Sequence, residues 1–264
     1  MGGYPTDLTD AQWALVEPLL SVPGRRGRPY GPDIRQVFNA MLYVTHTGCQ
    51  WRCLPRDFGP WTRVWSQFRR WSANGTWTML LAELHRQVRT RLGRAEQSPS
   101  MVVMDTDLAR GASNGGETFH AKGGPYGVTN GAKRCVVVDV TGLPLAVAVV
   151  PVSMHENDTT KLLLEQLQAN GQADRLTRVR VDRGVTAKAA TAMGTRFGVT
   201  VERVGHDGPR GRFVPLPYAW RVEVAHGHLP GSRRLARLFE NTVASGTAWV
   251  QAAAVGGVVR VLTA

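Results

Sequence analysis

The chain has 264 residues, 43% hydrophobic and 20% charged, enough to bury a full core and ordinary for a globular protein. Its charge is not ordinary: 32 Lys and Arg against 20 Asp and Glu leave +12 at pH 7. That balance argues against a cationic partner and for a polyanion, nucleic acid before anionic membrane.

Three cysteines, Cys49, Cys53 and Cys135, leave one without a mate and suggest a reducing compartment. The opening MGGYPTDLTD has neither the basic start nor the apolar run of a signal peptide. The apolar stretch LPLAVAVVPV is too short to span a bilayer. A cytoplasmic, nucleoid-associated protein without membrane contact is expected.

The first part of the chain, residues 1–95, reads as helical. Thr9 or Asp10 caps a helix through AQWALVEPLL, with Trp13, Val16 and Leu20 on one face. A basic, Gly/Pro-rich loop, PGRRGRPYGP, follows. Asp33 then caps DIRQVFNAMLYVTHTG, which stops near Gly48. A third helix begins with Pro60 in its first turn and ends at Asn74-Gly75, and a fourth follows with Thr76 as its cap. GRAEQSPS changes composition and reads as a linker.

Residues 96–264 read as α/β. MVVMD is an apolar strand ending at Asp105. The Gly-rich stretch from Gly111 to Gly131 has no strong periodicity, and KRCVVVDVTGLPLAVAVVPV gives two strands joined at Thr141-Gly142. Next come an amphipathic helix (ENDTTKLLLEQLQANG), a strand ending at Asp182 (TRVRVD), a helix (AKAATAMGTRFG), a strand (VTVERV) and a helix carrying Glu223 (YAWRVEVAHGHL). Three meander strands followed by alternating helices and strands is the element order of a ribonuclease H-like fold, a mixed sheet flanked by helices.

In that order the strands ending at Asp105 and Asp182 are neighbours, and Glu223 has the reach to join them. Phosphodiester chemistry needs such a set. Two divalent ions activate the attacking oxygen and stabilise the leaving one. Magnesium takes oxygen ligands, so carboxylates must converge from separate elements. Other acids have simpler readings. Asp107 shares a side with Asp105 if the strand continues. Asp139 is a turn residue, Glu156 and Asp158 cap a helix, and Glu202 is exposed on its strand.

Several longer stretches carry a resemblance. They are TGCQWRCLPRDFGPW, VWSQFRRWSANGTW, VVMDTDLARGASNGG, VRVDRGVTA and WRVEVAHGHLPGSRRLARLFENT. Through them the chain resembles the DDE transposases of bacterial insertion sequences, of the IS-five type, over essentially its full length. The resemblance implies Asp105, Asp182 and Glu223 as the catalytic and metal-binding triad, with Mg2+ or Mn2+ as cofactor. It also implies cleavage at element ends, transfer of a 3′-hydroxyl strand to target DNA, and a homodimer or higher assembly on double-stranded DNA. Arg233 and Arg234 would contact phosphates.

The helical part would bind the element ends in helix-turn-helix-like fashion. In PWTRVWSQFRRW the apolar stripe is core, and the opposite face offers Arg63, Gln67, Arg69 and Arg70 to phosphates and base edges. Arg25, Arg26 and Arg28 would reach a minor groove or a phosphate. His46, Cys49 and Cys53 lack a fourth ligand at finger spacing, and neither Gly-rich region precedes a Lys-Ser/Thr pair, so zinc and ATP are not expected.

Pro230 falls where the Glu223 helix should continue, and Gly256-Gly257 fall where a closing helix is expected. Two alternatives stay open on sequence alone: a degenerate, inactive copy acting only as a DNA-binding repressor, and a plain metal-dependent nuclease.

Overall fold

Four helices open the chain: α1 (Asp10–Leu20), α2 (Ile34–Thr47), α3 (Trp61–Ala73) and α4 (Thr76–Arg91). The computed structural model describes residues 3–21, 30–94, 98–112, 120–121, 129–205 and 220–264. Local chemistry sets the helix ends. Thr9 and Gln12 form a reciprocal capping box at α1, and Gly48 closes α2 in the left-handed region at φ 70°. Asp33 occupies the N-cap of α2 but makes no capping bond, because Arg63 of α3 takes its carboxylate. Thr76 is the first residue of α4 rather than its cap, and Asn74 Oδ1 accepts from its N–H at 3.1 Å. Between α2 and α3 lie two 3-10 turns, Trp51–Cys53 and Arg56–Phe58, in place of a tight helix-turn-helix connection.

The second part contains β1 (Met101–Arg110), β2 (His120–Ala121), β3 (Thr129–Val138), β4 (Pro144–Pro151), α5 (Glu156–Ala169), β5 (Arg178–Asp182), α6 (Ala187–Phe197), β6 (Thr200–Val204), α7 (Trp220–His228) and α8 (Val243–Thr263). The sheet runs β2-β3-β1-β5-β6, with β4 also on β3. β3 is antiparallel to β1 and β4, while β1, β5 and β6 are parallel. This is the expected mixed sheet with helices on both faces.

The two faces have separate cores. Val102, Met104, Val137 and Val179 pack with α5 and α6. Val103, Ala109, Val136 and Val147 face α7, α8 and all four N-terminal helices, which share one continuous core with them. α8 joins the parts: Trp249 stacks on Phe68 of α3 at 4.1 Å between ring centroids, and Gln251 donates to Thr78 of α4 at 2.8 Å.

Three expectations need correction. β1 does not end at Asp105 but continues to Arg110, its second half paired with β3. α7 ends at His228, and Pro230 lies in the 3-10 turn Leu229–Gly231, so it kinks nothing. Gly256 and Gly257 do not interrupt α8; a side chain at Gly256 would press on Leu42 at 3.3 Å, so the glycine lets α2 approach closely.

A buried ionic cluster ties α4 to the β3–β4 turn. Asp139 is fully buried and pairs with Arg89, with His85 Nε2 at 3.5 Å, while Thr141 donates from both its backbone N–H and its hydroxyl. Burial pushes the Asp139 carboxyl up, but hydrogen bonds and charge from His85, with those of Thr141, outweigh it and hold the pKa below the usual range. A carboxyl depressed in the fold contributes stability above its unfolded pKa of about 3.9 and loses it as pH falls through the folded value. Asp139→Asn strands the Arg89 charge and should cost about 3–5 kcal/mol in urea unfolding at pH 7. The gap to wild type should hold down to about pH 5 and narrow below about pH 4; a gap that widens there would contradict this assignment.

Candidate active site

The parallel pairing of β1 and β5 sets the site. Met101, Val102 and Val103 stand level with Arg178, Val179 and Arg180. Carried two residues on, that register places Asp105 level with Asp182. The pleat turns Val103 and Asp105 to one face, and Val181, in the opposite core, turns Asp182 away from α5 and α6 to that same face. Ladder pairing ends at Val103 and Arg180, so both carboxylates lie where the strands part. A narrow cleft there is lined by Asp105, Thr106, Glu156, Asp182 and Val185.

α7 packs across β1 and β3 on the Asp105 face. Val222 and Ala225 anchor it in the core, leaving Glu223 exposed in its first turn. One turn on, His226 Nε2 lies 3.8 Å from Asp105 Oδ2. Burial raises the pKa of Asp105; His226 and the Thr106 N–H work against that, and the like charges of Asp182 and Glu223 add to it. Asp182 stands level with Asp105 on the neighbouring strand, and Glu223 sits on the helix that packs across the Asp105 face.

Asp107 also shares that side, as the continuing strand requires, but Arg134 takes it at 3.4 Å. Glu156 is more than a helix cap. Its carboxylate accepts from Lys133 Nζ at 2.8 Å and Thr106 Oγ1 at 3.3 Å, and His155 caps α5 instead. Asn157 binds the N–H of Thr186 at 2.9 Å, holding the loop that follows Asp182. Gly184 is required there, since a Cβ would meet Glu156 Cγ at 2.9 Å. His226 stands three residues after Glu223, a spacing that puts both on one helix side, which is the signal that could have found it. Nothing in the sequence announced the Lys133–Glu156 pairing.

The donor types suit a divalent cation: carboxylates, of which Asp105 is partly buried and carries a pKa raised by burial and by nearby like charge that a cation would relieve. Among the described residues no three acidic, His or Cys side chains converge closely enough to hold an ion as they stand. A cavity of about 560 Å³ between α7, α8 and the β3–β4 turn has no carboxylate among the described residues of its lining.

The predicted DNA-contacting residues divide. Arg69 and Arg70 are exposed on α3, and Arg233 is exposed after α7. Arg63 is committed to Asp33. Gln67 is only 6% exposed and accepts from Arg70 at 2.5 Å, so it belongs to the core side of α3 and not to its outer face. Arg234 pairs with the buried Glu240 at 2.5 Å and lies over Trp249 at 5.1 Å; it is an internal brace rather than a phosphate arm. Arg25, Arg26 and Arg28 lie outside the described residues.

Comparison with known proteins decides the family. Residues 8–81 match the model "Putative transposase of IS4/5 family", and residues 96–199 match "Transposase DDE domain". An insertion element IS402 uncharacterized 16.2 kDa protein of Burkholderia cepacia is 33% identical over 116 residues, covering 41% of this chain and 76% of that protein. The chain belongs to the DDE transposases of insertion sequences. Uncharacterized protein y4sN of Sinorhizobium fredii is 28% identical over 119 residues, covering 44% of this chain and 86% of that one. The Mos1 transposase in a pre-cleavage transpososome aligns over 91% of this chain and 81% of its own, at 12% identity and a TM-score of 0.33. The matched DDE segment contains Asp105 and Asp182; Glu223 lies beyond it. No helix among the described residues is long and apolar enough to cross a membrane.

Titration provides a direct check on the site of this DDE transposase. Removing the neighbouring charge in Asp182→Asn should lower the Asp105 pKa, followed by carboxyl carbon NMR, because Asp182 raises it. An unchanged Asp105 titration would mean that the two carboxylates are not close.

Proposed function

We propose that this DDE transposase cleaves DNA at the ends of its own element and joins the freed 3′-hydroxyl to target DNA, with Asp105, Asp182 and Glu223 as the catalytic carboxylates. The level register of Asp105 and Asp182 on adjoining strands, on the face that α7 covers with Glu223, is the observation that supports this most. Mg2+ or Mn2+ held by these carboxylates would polarise the scissile phosphate and make water a competent nucleophile near neutral pH.

The chain's own part is positional. β1 and β5 fix two carboxylates on unyielding backbone, and α7 brings the third from a separate element. The partly buried setting of Asp105 strengthens any charge interaction made there. Water attacks first and frees a 3′-hydroxyl; that hydroxyl then attacks the target strand.

End binding falls to α3. Its exposed side carries Trp65, Arg69 and Arg70, with the Arg69 guanidinium over the Trp65 ring at 5.0 Å. Arg suits phosphate and guanine contacts, and the chain's +12 charge supports a DNA partner. A homodimer or larger assembly would hold paired ends.

The second reading is a copy that occupies element ends without cutting them. Cleavage of DNA bearing the element's ends separates the two. Mg2+-dependent cutting should fall by more than about a hundredfold in Asp105→Ala, Asp182→Ala and Glu223→Ala, beyond the 10–100-fold typical of losing a supporting outer group. Joined products from a pre-nicked end distinguish a transposase from a plain nuclease. End binding without cleavage in wild type would establish the repressor reading.

Arg69→Ala and Arg70→Ala should each reduce the salt dependence of end binding by about one phosphate contact, and Gln67→Ala should leave it unchanged. Equal slopes in all three would place the DNA elsewhere.

A further inference from the structure

We propose that His226 is a nitrogen ligand of the divalent ion held at Asp105, so that this site prefers a transition-metal ion such as Mn2+ to Mg2+. The inference rests on the reading of Asp105 as a metal ligand.

Three observations carry it. His226 is nine-tenths buried, with its side chain 10% exposed, and among the described residues neither Nδ1 nor Nε2 has a hydrogen-bond partner. A neutral imidazole has one donor and one acceptor nitrogen, and leaving both unmet inside a protein is unfavourable. Nε2 faces the one carboxylate that the site reading most depends on, at 3.8 Å. That distance is too long for a hydrogen bond, yet it is shorter than twice a metal–ligand bond of about 2.1 Å, so the two atoms can ligate one ion.

Other basic groups near this face are committed elsewhere. Arg134 binds Asp107 and the Leu235 carbonyl, and Arg221 binds the Val140 carbonyl. His226 also lies three residues after Glu223, on the same side of one short helix. Mg2+ is served by oxygen ligands and imidazole suits transition metals, which gives the predicted order of preference.

The test uses the full chain and Mn2+ as its own spectroscopic probe. Free Mn2+ is followed by electron paramagnetic resonance, and the bound ion by electron spin echo modulation. Wild type should show nitrogen modulation from an imidazole. That modulation should vanish in His226→Phe, which keeps the ring's bulk, and in His226→Gln, with both variants checked for wild-type circular dichroism. Mn2+ affinity should fall on the order of tenfold or more in both, while Mg2+ affinity measured by competition stays unchanged. Mn2+ bound without nitrogen modulation, but released by Asp105→Asn, would overturn the role of His226 and leave the carboxylate site standing. Binding that ignores Asp105→Asn, or no binding by wild type, would overturn both.

Discussion

The candidate site depends on one constraint, the register of the parallel pair β1 and β5. Because side chains alternate along a strand, a slip of one residue would carry Asp182 to the face occupied by α5 and α6 and separate it from Asp105. The register is pinned from both faces. Val102 and Val179 stand level and bury in one core, while Val103 buries in the other. Slippage would drive apolar side chains to the surface and the arginines between them inward. The carboxylates therefore owe their alignment to valines, and the site is as secure as the two cores that flank it.

A second constraint concerns the spending of charge. The chain has an excess of basic residues, but many arginines do not face a partner. Arg89 is held by Asp139, Arg134 by Asp107, Arg234 by Glu240, and Arg63 by Asp33. Each pairing removes an arginine from the surface available to phosphate. Two of them brace junctions, α4 to the β3–β4 turn and β3 to β1, while Arg234 and Glu240 pair within the segment between α7 and α8, which the Arg234 guanidinium ties to α8 by lying over Trp249. Asp139 shows the cost of reading an acid from its immediate neighbours. Thr141-Gly142 does form the turn read from sequence, and Asp139 accepts from Thr141 as turn chemistry predicts. Its larger role, balancing a buried guanidinium on a helix fifty residues earlier, has no local signature.

The same division runs through the whole comparison of sequence with structure. Features governed by local chemistry were legible: a cap at Thr9 or Asp10, the stop at Gly48, the turn at Thr141-Gly142, and the strand before Asp182. The arrangement of the sheet was legible too, because alternating helices and strands leave few ways to pair. What depended on distant partners was not. β1 runs past Asp105 because β3 offers it a pairing edge as far as Gly131, although MVVMD alone exhausts the apolar signal. Gly256 sits inside a helix where α2 presses against α8 through Leu42, and packing of α8 as a whole outweighs the propensity cost of both glycines. Gln67 has the chemistry of a base-reading residue, but its position between Val64, Phe68 and Trp71 on the helix turns it inward. The candidate site divides likewise: the proposed carboxylates stand at strand and helix positions readable from sequence, whereas His226 gains meaning only from what faces it.

These features bear on how end binding and cleavage are joined. Composition suggests two modules with a linker, yet the hydrophobic core is continuous from α1–α4 through α8 to one face of the sheet. Phe68 lies on the same helix as Arg69 and stacks on Trp249; Trp249 carries Arg234, which follows the segment bearing Glu223. The exposed side of α3 that carries Arg69 and Arg70 is thus connected to the segment bearing Glu223 by direct packing. Moving one against the other would break an aromatic stack and expose α8, whose buried residues include Trp249, Val255 and Val259. Burying apolar area is worth roughly 25 cal/mol per Å², so losing a helix-wide contact would cost far more than binding a few phosphates returns. On the proposed reading, core packing would set the offset between the bound end and the scissile bond, so that specificity for an end would fix the cut position without any base contact at the carboxylates themselves.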